Sequence, residues 1–292
     1  MTPPRLASTP PRGTARDTAR GWARWTRWAG LTLVSAASTA SAAPAAEPPC
    51  GPHVAALYAY PPFFRDVPGQ GWQGIDKDMF DELARRSGCD LRLVVESRVR
   101  IWEQMRSGVA GLTMSAIPTP ERQTFAEFVP YAQGRYHLML HRELAPQVRS
   151  LAAFEADSRL RLLTVKGYTH GPTLDRLVQR LRTQGRVHEV SDFPAVLRMA
   201  RAGRGHGLLA LPASWAEVDA AFDDGEAWTP VDVAPQDRVL AGLALSLRLP
   251  DADRQRLRRA MQSMLADGTV RAITRRHLSE AATRAVTFAD EP

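Results

Sequence analysis

The first group in this chain with chemistry to offer is an arginine just beyond a run of small apolar residues. In GLTMSAIPTPER, residues 111–122, the run breaks at Ser115 and passes through Thr119 and two prolines to the pair Glu121-Arg122. The run suits a buried strand, and Thr119 with Pro120 suits the cap and first position of the next helix. A guanidinium presents a planar fork that matches both oxygens of a carboxylate, which makes Arg122 a candidate anion clamp. The alternative is a solvated helix on which Arg122 pairs with Glu121 or Glu127. Signatures of catalysis are missing: there is no G-x-S-x-G, no H-E-x-x-H, no P-loop, and no convincing pairing of nucleophile and base. Two cysteines without a companion cluster make no zinc site, and no cofactor is expected. The chemistry on offer is binding.

Bulk composition narrows what could be bound. The chain has 292 residues, 44% hydrophobic and 24% charged, as in an ordinary globular protein. Its net charge of +7 hints at nucleic acid, but the excess is local. Residues 1–42 hold six arginines and one acid, which leaves 32 basic and 30 acidic residues in the remainder. A nucleic-acid partner is therefore discarded. After Arg27 the chain runs uncharged through WAGLTLVSAASTASA to Ala42, and Ala40-Ser41-Ala42 has the small-x-small form of a signal-peptidase site. Residues 1–42 are expected to be a cleaved secretory signal, which implies export to an oxidising compartment. In that oxidising compartment an even cysteine count favours a Cys50–Cys89 disulfide, worth roughly 4 kcal/mol on the chain-entropy model.

Strand and helix signals alternate along the mature chain. HVAALYAYPPFF reads as a strand stopped by its double proline, and IDKDMFDELARRSGC as an amphipathic helix ended by Gly88. DLRLVVE, a helix near 100–107 and GLTMSAI follow, which implies strands joined by helical crossovers in a parallel sheet. A second cycle starts after residue 150 and includes LRLLTVKGYTHG, PTLDRLVQRLRTQG and FPAVLRMARAG. Two apolar strands, RYHLMLHR and RVLAGLALSLR, flank it and are the natural crossings between two α/β lobes. The last helix is expected from about Thr269 to Leu278, with residues 281–292 a flexible tail.

Five segments, YAYPPFF, GQGWQGIDKDMFDELARRSG, PTPERQTFAEFVPY, VKGYTHGPTLDRL and ALSLRLPDADRQRLRRAMQSMLADGTVRAI, carry a resemblance in this order. Together they resemble the type II periplasmic solute-binding proteins of family 3, receptors of polar amino acid ABC importers. The resemblance implies a two-lobed periplasmic-binding-protein-like α/β fold, each lobe a mostly parallel sheet flanked by helices. Lobe 1 would take residues 50–140 and 238–280, and lobe 2 residues 141–237. It implies a carboxylate-bearing ligand in the cleft, an inner-membrane ABC permease as partner, and a monomer. Arg122 matches the family's carboxylate-clamping arginine and Thr119 the threonine of its T-x-x-R turn. Ser115, and Thr169 with His170 in the opposite lobe, fall where the family presents groups to the ligand. Tyr60 and Phe63 follow the first strand, where a ring often stacks on the ligand. Asp76 lies in a family-like G-x-D and could equally cap the following helix. The turn at Thr169 runs into a helix whose free N–H groups favour an anion.

Two departures bear on the ligand. Ala110 replaces an aspartate common in the family, and GRGHGLLALPASW lacks the acids that would hold an α-ammonium group, with His206 and Leu211 near their places. The ligand could thus lack an α-amino group. Other functions on the same fold are a sensory or partner-binding protein without transport, or a periplasmic enzyme such as a dehydratase.

Overall fold

Alternating strands and amphipathic helices build two five-stranded sheets. A computed structural model of the chain describes residues 48–222 and 228–288. The expected signal segment, residues 1–42, lies outside the described residues, as do residues 289–292. The first lobe opens with β1 (His53–Leu57), a small hairpin of β2 (Arg65–Val67) and β3 (Gly71–Gln73), and α1 (Ile75–Ser87). Then come β4 (Leu91–Val95), α2 (Arg98–Ser107), β5 (Leu112–Ala116), a single turn α3 (Pro120–Gln123) and β6 (Ala126–Gly134). The second lobe runs through β7 (His137–His141), α4 (Leu151–Ala156), β8 (Leu162–Val165), α5 (Pro172–Thr183), β9 (Val187–Val190) and α6 (Phe193–Arg201). It closes with β10 (Gly207–Ala210), a 3-10 turn at Pro212–Ser214, α7 (Trp215–Ala220) and β11 (Trp228–Val231). The chain returns as β12 (Val239–Ser246), α8 (Asp251–Ala266), α9 (Thr269–His277) and α10 (Glu280–Val286).

The first sheet has the order β4-β1-β5-β12-β6 and the second β11-β7-β10-β8-β9. In the first, β1 is parallel to β4 and β5, while β12 is antiparallel to β5 and β6. In the second, β8 is parallel to β9 and β10, while β7 is antiparallel to β10 and β11. Parallel pairs come from helical crossovers; the antiparallel pairs involve the strands next to the crossings. The crossing was expected near residue 140, but β7 already pairs with β10 and β11, so the chain changes sheet at Arg135–Tyr136.

Strand β6 escaped the sequence reading because it carries Pro130 and lacks alternation. As the outermost strand it tolerates a residue without an N–H. The helix expected after Thr119 is correspondingly cut to one turn. The C-terminal segment also differs from expectation. Instead of a flexible tail from 281, Ser279 caps α10, whose Val286 is buried against β6 and the 3-10 turn, one from each lobe. The Cys50–Cys89 disulfide ties the segment before β1 to the end of α1, with Cα atoms 4.5 Å apart. Among the described residues, no helix is long and apolar enough to cross a membrane.

Candidate functional site

The carboxyl ends of β1 and β5 face those of β8 and β10, and the loops beyond them meet between the lobes, where open α/β sheets place ligands. Strand β5 is buried throughout, and its penultimate residue, Ser115, sits at φ 46°, the left-handed region that non-glycine residues avoid. Its neighbours hold it there. The Ser115 N–H donates to Tyr131 Oη (2.8 Å), its hydroxyl donates to Asp76 (2.7 Å), and its carbonyl accepts from Tyr58 Oη (3.3 Å) and Arg98 (3.2 Å). Backbone strain that its surroundings over-determine marks functional sites more often than plain structural ones.

Asp76 is 1% exposed and does not cap α1; its carboxylate accepts from Ser115 and, at 3.1 Å, from Tyr131. Burial pushes this carboxyl up to about 7, against the hydrogen bonds and the Arg98 charge that favour its ionised form. Arg98 itself is 4% exposed. It stacks on Tyr58 and Trp102, 4.1 and 4.7 Å from their ring centres.

Arg122 is no surface residue. It is 9% exposed, stacks 4.2 Å from the Trp102 ring, and donates to the Ile117 carbonyl in its own lobe and the Gly167 carbonyl in the other, each at 2.8 Å. Glu121 pairs instead with Arg106, and Glu127 with Arg254 and Arg258. Burial, then the neighbouring Arg98 charge, bring the Arg122 guanidinium down to about 9, so it is a cation at neutral pH. Thr119 does not point at the cleft; its hydroxyl caps α3 by accepting from Arg122 N.

Across the cleft, the Thr169 and His170 side chains serve their own loop. The Thr169 hydroxyl donates to Asp175, which also accepts from the His170 N–H at 2.8 Å. The His170 ring is buried against Tyr136 and lies 3.2 Å from Thr164 Oγ1. The Thr173 N–H donates to Asp237. The anion expected at the start of α5 is thus supplied by the chain's own Asp175 and Asp237.

Aromatic rings fill the space between. Tyr60 stacks parallel on Phe63 at 5.5 Å and meets Phe193 and Tyr168 of the other lobe edge-on at 4.7 and 5.7 Å; Tyr58 also meets Tyr168 edge-on. Among the described residues, the buried Tyr60 and Tyr168 hydroxyls have no partner at full hydrogen-bond geometry. A cavity of about 30 Å³ remains beside Tyr58, Tyr60, Phe63 and Ser115, room for about one water and not for a solute. The lobes are therefore closed, further joined by Ser214 Oγ donating to the Pro61 carbonyl (3.0 Å) and by an Arg65–Glu217 ion pair.

Residues 53–280 match the family model described as bacterial extracellular solute-binding proteins, family 3. The chain belongs to that family. Among solved structures, an ancestral amino acid-binding protein, described as a precursor of cyclohexadienyl dehydratase, is similar with a TM-score of 0.65 at 16% identity, covering 78% of this chain and 95% of that one. The solute receptor for L-cysteine of Neisseria gonorrhoeae matches with 0.63 at 18%, covering 81% and 96%. A histidine kinase sensor domain with similarity to periplasmic binding proteins matches with 0.64 at 12%, covering 78% and 96%. At these identities the likeness is one of fold. Among curated protein sequences none matches.

In this family 3 protein, Arg98, Tyr58, Tyr131 and Tyr168 pack against or bond to Ser115, Asp76 and Tyr60 of the candidate site, although the sequence expectations did not include them. One signal was there: Arg98, Ile101, Trp102 and Met105 occupy a single buried face of α2, and a cation on an apolar face needs a reason. Among the described residues, the one grouping of potential metal ligands is Cys50, His53 and Asp253, and the Cys50 sulfur is committed to its disulfide.

Proposed function

We propose that this protein is a periplasmic receptor that captures a small carboxylate-bearing, amino-acid-like solute between its lobes and delivers it to an inner-membrane ABC importer. One observation carries the reading. A desolvated guanidinium, Arg122, bridges the lobes using only backbone carbonyls as acceptors. Gly167 O occupies the place a carboxylate oxygen would take, and a ligand exchanging with it gains a charged partner where a neutral one stood. Opening exposes Arg122, and closing on a ligand buries it again. Only a solute that contacts both lobes favours the closed form. The protein would act as a monomer, and Ser115, Tyr60, Phe63 and Asp76 would line the opened site.

A thermal-shift screen against amino acids, mono- and dicarboxylates tests this. A cognate solute at 100-fold over its dissociation constant should stabilise the protein by about 2.7 kcal/mol. No shift across the screen would sink the receptor reading. It would leave a second one, a sensory or partner-binding role without transport, which the aromatic packing of the cleft favours and which accords with the sensor-domain likeness.

A further inference from the structure

Arg98 and Arg122 are two buried cations on one indole. Their guanidinium carbons lie 4.7 and 4.2 Å from the Trp102 ring centre, hence no more than about 9 Å apart. Among the described residues neither forms an ion pair with a carboxylate; Arg98 donates to Thr113 Oγ1 at 3.4 Å and Ser115 O at 3.2 Å, and its field reaches the Asp76 carboxylate. Buried charges are ordinarily paired, because desolvation without a counter-ion is expensive. The acids around the cleft are already engaged. Asp76 is held by Ser115 and Tyr131, Asp175 by the loop before α5, and Asp237 by Thr173. Asp192 caps α6. Among the described residues, the two guanidinium groups thus share their lobe with a single buried carboxylate, Asp76, whose hydrogen bonds come from neutral hydroxyls, and that wall of the cleft keeps a net positive charge.

We propose that the cleft selects a small dianion without an ammonium group, a short dicarboxylate, with Arg122 answering one carboxylate and Arg98 the second. This rests on the receptor reading above and narrows it. Arg122 joins the lobes, so the first carboxylate takes its place at the lobe junction. Arg98 lies deeper, under Tyr58, and its field falls on the part of the ligand that a neutral or ammonium-bearing solute would leave uncharged or positive.

Calorimetry on the mature protein with succinate, butyrate, L-glutamate and L-glutamine tests the proposal. Succinate should bind at least ten-fold more tightly than each of the other three. Arg98→Met keeps the stem but not the charge; it should weaken succinate at least thirty-fold, leave butyrate within about three-fold, and be partly rescued in Arg98→Lys. Tightest binding of L-glutamine or L-glutamate overturns the proposal, as does an equal loss for succinate and butyrate in Arg98→Met, which would mark Arg98 as structural. If Arg98→Met fails to fold, the order of the four probes on the unaltered protein decides. Binding of none of them also overturns it. The receptor reading is judged apart, by the wider screen, and survives if an amino acid binds there.

Discussion

Asp76 is an acid set among groups that both stabilise and penalise its charge. Ser115 and Tyr131 donate to it and Arg98 is near, yet burial prevails and its carboxyl rises from 3.8 to about 7. The folded protein therefore holds this proton more tightly than the unfolded chain. Its contribution to stability is complete below about pH 4 and is lost as pH rises through 7. At about 1.4 kcal/mol per unit the full swing is at most about 4 kcal/mol. Urea unfolding should show the protein losing stability between pH 5 and 7.5, with a flatter profile in Asp76→Asn; identical slopes would refute the shift. At this scale the sequence disclosed some residues and hid others. The cap at Thr119 was legible because T-P-E-R is a local pattern with local physics, whereas the carboxylate role of Arg122 came from the family resemblance and stays a proposal. The partners of Asp76, 39 and 55 residues away, could not be read from it. Nor could the Asp237 carboxylate, 64 residues beyond Thr173, that takes one of the N–H groups expected to hold an anion.

Elements were more legible than sites, since the period of apolar residues is written within each of them. Helix α1 follows its pattern, burying Ile75, Met79, Phe80 and Leu83 and ending at a left-handed Gly88. Strand β6 and helix α10 were missed for a shared reason: each is defined by its neighbours more than by its own sequence. Strand β6 owes its place to pairing along all of β12, and α10 to the surface that β6 and the 3-10 turn offer Val286. The disulfide belongs to this scale too, closing a separation of 39 residues. Its loss in a Cys50→Ser, Cys89→Ser variant should cost about 4 kcal/mol and lower Tm by roughly 10 °C. An unchanged Tm would show that the bridge contributes nothing the surrounding packing does not already supply.

For the whole molecule, the question is how two lobes so closely packed come apart. Among the described residues their junction includes edge-on aromatic contacts, the lobe-bridging Arg122, the Ser214 hydroxyl, the partly exposed Arg65–Glu217 ion pair, and α10 packed on β6 of one lobe and the 3-10 turn of the other. Exposed ion pairs contribute about 0–1 kcal/mol, so the rings, α10 and Arg122 carry the closed form. On the proposed receptor reading, a solute would displace Gly167 O from Arg122 and in exchange neutralise a buried charge, which would give closure on a ligand its advantage over closure without one. Titration calorimetry of the solute found by screening, against the unaltered protein and Arg122→Ala, measures that exchange directly. A loss of roughly 2–4 kcal/mol of binding free energy in the variant is predicted, the scale of removing one partner from a desolvated charged pair. Equal affinity in the two proteins would contradict it.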